Sequence, residues 1–263
     1  MKRAEPDNPL GHGNRGSPPF TMEIASGADD IRKFDRRVKD LCDIEGPVEY
    51  AVEPRIRGLS VQLVYAKGSP PPVALAEACT QRGDDITKNI KTILSVPLKL
   101  ERIHGDLPFP ELLVLWGVVY VETEALRSLN RERSRGGLPP FRDSREAVDD
   151  SLLQEDPRVT AQRPLDMFCC AVSEMRGVSL ETHLEMMLAL QSWGLRVNRP
   201  HIKLFADVGE VIGHCQDLKK NKAAFPFEID GALIQVNSLD LQARLNIESG
   251  KKTRALEFRF SRP

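Results

Sequence analysis

Apolar residues recur with the period of a strand in one stretch near the start of the chain. Leu59, Val61 and Leu63 alternate with other side chains, which predicts a half-buried strand. Just before them, three charged residues stand at every second position, so an extended chain carries all three on one face. They are Glu53, Arg55 and Arg57. Such a row needs a cleft, a ligand or mutual pairing, and the alternative is a solvated strand start in which Glu53 pairs with an arginine.

Apolar residues that recur with the period of a strand or of a helix predict the other elements of the chain. Strands are predicted over residues 73–78, 111–122, 167–172 and 254–260. Helices are predicted over 28–42, from 83 onward, over 123–133, after 182 and over about 206–221. For the helix after 182, Thr182 is the expected N-cap and Glu185 completes a capping box. Residues 1–20 are rich in proline and glycine and poor in apolar side chains, which predicts a disordered lead-in.

The composition is typical of a soluble globular protein. The chain has 263 residues, of which 41% are hydrophobic and 29% charged, and its net charge is −1. This balance provides no overall basic field that would favour nucleic acid. No apolar run approaches the roughly 18 residues of a membrane span, and no secretory signal is recognisable.

The cysteines predict neither a metal centre nor disulfides. The chain has five cysteines and none of them forms a Cys-x-x-Cys pair. They are Cys42, Cys79, Cys169, Cys170 and Cys215. We therefore expect reduced thiols, no metal site and a cytoplasmic protein.

Several motifs resemble one family. Residues 53–59 read Glu-Pro-Arg-Ile-Arg-Gly-Leu, and NAD-dependent DNA ligases carry Glu-Pro-Lys-Ile-Asp-Gly-Leu at the start of their adenylation site. Residues 83–87 (Gly-Asp-Asp-Ile-Thr), 156–166 (Asp-Pro-Arg-Val-Thr-Ala-Gln-Arg-Pro-Leu-Asp) and 193–198 (Trp-Gly-Leu-Arg-Val-Asn) are similar to further family segments. Over about residues 18–263 the chain resembles the nucleotidyltransferase (adenylation) domain of these bacterial ligases.

The resemblance implies a fold and a domain organisation. We expect an α+β, DNA ligase/nucleotidyltransferase-like (ATP-grasp-like) domain over residues 21–263, with antiparallel sheets flanked by helices around one cleft. The domain that binds the nicotinamide nucleotide, the oligonucleotide-binding barrel, the zinc finger, the helix-hairpin-helix domain and the C-terminal BRCT repeat domain are not expected in this sequence.

The chain departs from the family pattern at positions that carry its chemistry. By the resemblance, Arg55 occupies the position of the nucleophilic lysine, so no catalytic residue is intact. The other departures are Arg57 at an aspartate position, Trp116 at an arginine, Val118 at a glutamate, Gln235 at a lysine and Arg259 at a lysine. A nucleophilic amine must lose its proton, and a guanidinium stays protonated. The resemblance therefore implies a catalytically inactive pseudo-ligase with a binding or regulatory role, in DNA repair or replication. The alternatives are an active NAD-dependent DNA ligase-type adenylyltransferase and a sensor that binds an anion or a nucleotide.

The binding expectations follow from the same resemblance. The nucleotide-binding candidates are Glu53, Arg55, Arg57, Arg145 and Arg259. We expect the first three to lie near Glu228 and Arg145 in the cleft. NAD or AMP and Mg²⁺ are implied by the resemblance alone. The basic residues within 127–145 and 251–259 are candidates for weak contacts to DNA phosphates, with a solvated surface as the alternative, and a protein partner in DNA metabolism is a further expectation.

Overall fold

The computed structural model describes residues 22–67, 73–248 and 254–260, so the predicted lead-in at 1–20 lies outside the described residues. The strands are β1 (Glu23–Ala25), β2 (Tyr50–Ile56), β3 (Leu59–Lys67), β4 (Val73–Thr80), β5 (Leu112–Val121), β6 (Leu165–Arg176), β7 (Lys203–Phe205), β8 (Ile229–Val236) and β9 (Ala255–Arg259). The helices are α1 (Ala28–Cys42), α2 (Thr87–Ile90), α3 (Thr123–Arg135), α4 (Ser144–Leu152), α5 (Pro157–Ala161), α6 (His183–Ser192), α7 (Val208–Lys220) and α8 (Leu239–Glu248). Short 3₁₀ turns cover Arg199–His201 and Lys222–Ala224.

The strands form two sheets. One has the order β1-β9-β8-β2-β7 and the other β4-β3-β5-β6. Every pairing within them is antiparallel except that of β1 with β9. Two main hydrophobic cores lie between the sheets and the helices. Helices α1, α7 and α8 pack on the first sheet, and α2 to α6 pack with the second. The expected α+β fold with antiparallel sheets and flanking helices is confirmed.

The chain passes from one sheet to the other between Arg57 and Gly58. β2 belongs to the first sheet and β3 to the second, although two residues separate them. A Cβ atom at Gly58 would lie 2.1 Å from the carbonyl oxygen of Val119 on β5. Only glycine allows the backbone to approach β5 this closely.

The prediction of a half-buried β3 is wrong. Between Leu59 and Tyr65 only Ser60 is exposed, and Gln62 and Val64 are buried on the face expected to be solvated. β3 lies in the middle of its sheet between β4 and β5, and Val64 packs in a small cluster with Leu112 and Val114 on the opposite face from the main core. Strands covered on both faces lose the alternation that marks a half-exposed strand.

Most other predicted elements are confirmed, but one helix is shorter than expected and several elements were not predicted, among them β1, β7, β8 and α8. The helix expected from residue 83 is only the four residues of α2, although its predicted apolar residues Ile86, Ile90 and Ile93 are buried. Helices α4 and α5 were not predicted, because both are short and lie within a segment dominated by charged residues and proline. At α6, Thr182 Oγ1 accepts from the Glu185 amide at 3.1 Å and completes the expected capping box. No helix in the described part of the chain is long and apolar enough to cross a membrane.

Candidate functional site

A cavity of about 690 Å³ lies between the two sheets, where β2 meets β3. Its walls come from both sheets and from the start of α4. The nucleotide-binding candidates predicted from the sequence all line it: Glu53, Arg55, Arg57, Arg145 and Arg259. Glu228 adjoins them as expected, because its carbonyl accepts from the Arg57 amide at 2.8 Å and its carboxylate accepts from the Ser144 amide at 3.0 Å.

Arg55 is held by two carboxylates from the neighbouring strands. It stands on β2 opposite Gly231, where its Nη1 donates to Asp230 and its Nε lies 2.9 Å from Glu257 Oε1. The same Glu257 oxygen accepts from Arg259 Nε at 2.5 Å. Glu257 is buried, so these two guanidinium groups compensate a carboxylate that burial alone would make costly.

Arg57 joins this group to α4. Its Nη1 donates to Asp143 at 2.6 Å, and its Nη2 lies 3.4 Å from Asp230. Asp143 is also the N-cap of α4, accepting from the Glu146 amide at 3.0 Å. Burial acts to raise the pKa of Asp143, but the Glu146 amide and Arg57 outweigh it and hold that pKa below its ordinary value. Six residues linked by these ion pairs form the charged rim of the cavity: Arg55, Arg57, Asp143, Asp230, Glu257 and Arg259.

Arg145 differs from the arginines of the charged rim. It lies in the first turn of α4, is exposed and lines the cavity. It forms no ion pair with any residue in the described ranges, whereas neighbouring Arg142 pairs with Glu146 at 2.9 Å. Arg145 is therefore a cation at the cavity without a carboxylate partner among those residues.

The inner end of the cavity is neutral rather than charged. Glu53 is only 6% exposed, and burial raises its pKa to about 8, although the hydrogen bond from Gln235 acts in the opposite direction. It therefore carries a proton at neutral pH. Gln235 Nε2 lies 3.4 Å from Glu53 Oε1 and 3.2 Å from Nε2 of buried His183. The pKa of His183 is lowered to about 4, mainly by burial and also by Arg254, so that ring is neutral as well.

Asn198 lines the cavity and was not predicted as a site residue. It is 4% exposed, and its Nδ2 is buried without a hydrogen-bond partner among the described residues. The only signal in the sequence was its place at the end of the 193–198 motif, which assigns it no chemistry.

The cavity wall formed by the described residues offers no amine. No lysine is among the described residues that line it. Its apolar wall includes Ile56, Val118, Phe168 and Phe260, so the family's glutamate position is filled by an aliphatic side chain. Trp116 is buried beside Ala171 and Ala255.

The donor set does not fit Mg²⁺. Hard cations require several oxygen ligands, but Asp143, Asp230 and Glu257 are each engaged by arginine. No group of three or more His, Cys, Asp or Glu side chains suitable for a metal occurs in the part of the chain that the structure describes.

The basic segments predicted to contact DNA lie in different surroundings. Arg127, Arg131 and Arg135 line a shallow depression of about 500 Å³ on α3. Arg133 instead lies 3.8 Å from the centre of the Phe141 ring and donates to the Pro139 carbonyl at 2.9 Å. In the segment 251–259, residues 251–253 lie outside the described ranges, Arg254 is largely buried and donates to the Val172 carbonyl at 3.1 Å, and Arg259 belongs to the charged rim.

Two antiparallel-rich sheets around a cavity, with helices packed against them, form the α+β domain that was expected. The sequence profile of the NAD-dependent DNA ligase adenylation domain matches residues 14–262. The chain therefore belongs to the NAD-dependent DNA ligase adenylation-domain family.

Proteins named DNA ligase are similar along most of the chain. The one from Syntrophus aciditrophicus (strain SB) is 36% identical over 249 residues, which are 93% of this chain and 36% of the relative. The one from Geotalea daltonii is 37% identical over 90% of this chain and 34% of the relative. The chain thus spans about a third of the length of these relatives. A solved archaeal ATP-dependent RNA ligase (form 1) is 15% identical, with a TM-score of 0.49 over 94% of this chain and 48% of that one.

Proposed function

We propose that this domain binds a nucleotide or a related anionic small molecule in its cavity without transferring adenylate. The observation that carries the proposal is the absence of lysine from the described lining, combined with the two carboxylates that hold Arg55. Covalent adenylation requires an amine that can attack as a free base, and a guanidinium does not deprotonate in proteins. The relatives are named DNA ligase, so the proposed role lies in DNA repair or replication. Because the proposal excludes adenylate transfer, that role is regulatory.

The two ends of the cavity support binding of a molecule with an anionic part and a neutral part. Arg145 offers a guanidinium that no described carboxylate occupies, and charge-assisted hydrogen bonds to phosphate are among the strong polar contacts. The protonated Glu53 at the inner end suits an uncharged polar group better than a second anion.

Intact-mass measurement tests the absence of transfer. After incubation with NAD or ATP and Mg²⁺, we expect no AMP-sized mass increase, while the Syntrophus aciditrophicus DNA ligase serves as the positive control. Arg55→Lys alone should also remain unmodified, because Val118 provides no carboxylate and Gln235 no charge. An AMP adduct on any lysine of the unmodified chain contradicts the proposal.

Calorimetric titration with AMP tests the binding. Arg145→Ala should weaken AMP binding about tenfold or more, as expected for the loss of one charge-assisted contact to phosphate. Arg158→Ala is the matched control, because Arg158 is exposed on α5 outside the cavity lining and pairs with its own neighbour Asp156. Equal losses in both variants, or no binding by the unmodified chain, argue against a cavity site.

A second candidate function is weak, sequence-independent DNA binding through α3. Arg127, Arg131 and Arg135 follow one another every four residues, about 6 Å apart along the helix axis. Glu124 pairs with the first two at 3.1 and 3.5 Å, which reduces the net charge of this face. Such a surface supports phosphate contacts that weaken steeply with salt.

The α3 candidate is tested by replacing its three arginines together with alanine and measuring DNA binding at low salt. Binding should fall and its salt dependence should become shallower. The matched control replaces Arg32, Lys33 and Arg36, which form an exposed basic group on α1. Unchanged binding in the α3 variant removes this candidate.

A further inference from the structure

Asn198 fulfils neither of the usual structural roles of a buried asparagine. Its side chain makes no hydrogen bond to any residue in the described ranges, and its Nδ2 is buried. It stands at the N-cap of the 3₁₀ turn Arg199–His201, yet no backbone amide of that turn donates to its side chain. Asparagine at such a position ordinarily accepts a hydrogen bond from the following turn. Because a buried amide without a partner lowers stability, its presence needs a reason other than folding.

The surroundings of Asn198 place it at the inner end of the cavity, near Glu53. Val197 forms a bridge with Cys169, and the cavity is lined by Cys169, Cys170 and Asn198 together. Burial raises the pKa of the Cys170 thiol, and the nearby Glu53 raises it further. Gln235 Nε2 lies 3.4 Å from Glu53 Oε1, no hydrogen bond to Glu53 Oε2 is described, and Glu53 itself lines the cavity.

We propose that Asn198 is a ligand-binding residue of this cavity, pairing through its carboxamide with a planar group that presents a hydrogen-bond donor beside an acceptor, as the edge of a nucleobase does. A carboxamide offers both functions in one plane, which matches such an edge in a bidentate manner. Glu53 adds a second polar group at the same end, and Leu233 contributes an apolar surface beside it. This inference rests on the proposed binding of a nucleotide in the cavity and names the residue that recognises its base.

Two ligands and two variants separate base recognition from phosphate binding. AMP and ribose 5-phosphate share the sugar and the phosphate, but only AMP carries a base. The unmodified chain should bind AMP more tightly than ribose 5-phosphate. Asn198→Ala should reduce AMP affinity by between about five-fold and a hundred-fold and leave ribose 5-phosphate affinity unchanged. Arg145→Ala should weaken both ligands alike.

The control variant is Asn221→Ala, which replaces an exposed asparagine at the end of α7, outside the cavity lining. It should change neither affinity. If Asn198→Ala binds both ligands like the unmodified chain, or weakens both equally, the proposed role of Asn198 is wrong while cavity binding stands. If the unmodified chain binds neither ligand, the proposed function and this inference are both overturned.

Discussion

The charged rim and the inner end of the cavity satisfy their polar groups in opposite ways. In the rim, Asp230 and Glu257 each contact two arginines, so cations and anions compensate one another within the protein. At the inner end, the carboxyl group of Glu53 is protonated and neutral, and the side-chain amide of Asn198 has no described hydrogen-bond partner.

For the proposed ligand, this difference predicts which end of the cavity contributes most to binding. An anion that approaches Arg55 or Arg57 competes with the carboxylates that these arginines already bind, so its net attraction to them is weaker. A neutral polar group at the inner end displaces no protein contact of Asn198, and the hydrogen bonds it forms there are newly gained. Specificity is therefore expected from the inner end, and the rim mainly organises the site.

The largest expected effect is at Glu53 and depends on pH. Its folded-state pKa of about 8 exceeds the ordinary value of 4.5, so the folded protein retains a proton that the unfolded chain releases. Stability should therefore fall as pH rises from about 4.5 to about 8 and remain level above that range. Glu53→Gln removes this loss. We expect the variant to be more stable than the unmodified chain by a few kcal/mol at pH 9 and nearly equal to it at pH 4.

Urea unfolding of both proteins between pH 4 and pH 9 measures this difference, and subtraction cancels the contribution of the other titrating groups. A constant difference across the range contradicts the assignment of a neutral Glu53 and removes the contrast with the charged rim.

An intermediate effect is expected in the charged rim itself. Asp230→Asn removes the charge that links Arg55 to Arg57, and both arginines are only partly exposed. The free energy of unfolding should fall by about 1–3 kcal/mol, the usual cost of leaving a partly buried charge without its partner. Thermal or urea unfolding measures it, with Asp40→Asn as the control, because Asp40 is exposed on α1. A change no larger than that of the control indicates that the rim is already solvated.

The smallest effect is expected at Asn198. Asn198→Ala loses no described hydrogen bond and removes an unpartnered buried amide, which favours the variant, while the cavity left by the shorter side chain opposes this gain; we expect a net change of no more than about 0.5 kcal/mol in the free energy of unfolding. The matched comparison is Asn89→Ala: Asn89 is also buried, but its Nδ2 donates to Gln154 O and Thr160 Oγ1, both at 2.8 Å. That variant should lose about 1–3 kcal/mol. Similar losses at both positions in urea unfolding would mean that Asn198 has a structural partner.

Much of the fold could be predicted because its elements repeat a local period. The apolar stripe of α1 and the nearly continuous apolar run of β5 each predict their own type of element. The change of sheet at Arg57 was not predictable from a period, because it depends on which strands β2 and β3 meet. Helix α4 has a short and mostly polar surface, so its period is weak.

The basic residues and Glu53 that line the cavity were recognisable in the sequence, but the carboxylates that pair with those arginines were not. The row Glu53, Arg55 and Arg57 was recognisable from spacing, and all three side chains line the cavity. The carboxylate that joins the two arginines, Asp230, is 175 residues away from Arg55 along the chain. No local pattern links such positions, and the missing partner of Asn198 is likewise visible only once the surrounding chain has folded.

Gly58 and Gly231 have a consequence for reading motifs in this family. A side chain at Gly58 would meet the Val119 carbonyl, and a Cβ at Gly231 would lie 2.3 Å from the carbonyl oxygen of Phe258. Both glycines are thus required by the close approach of neighbouring backbones, whatever the cavity does. A motif match at Gly58 or Gly231 therefore indicates the fold, and the chemistry of the site has to be inferred from the side chains that line the cavity.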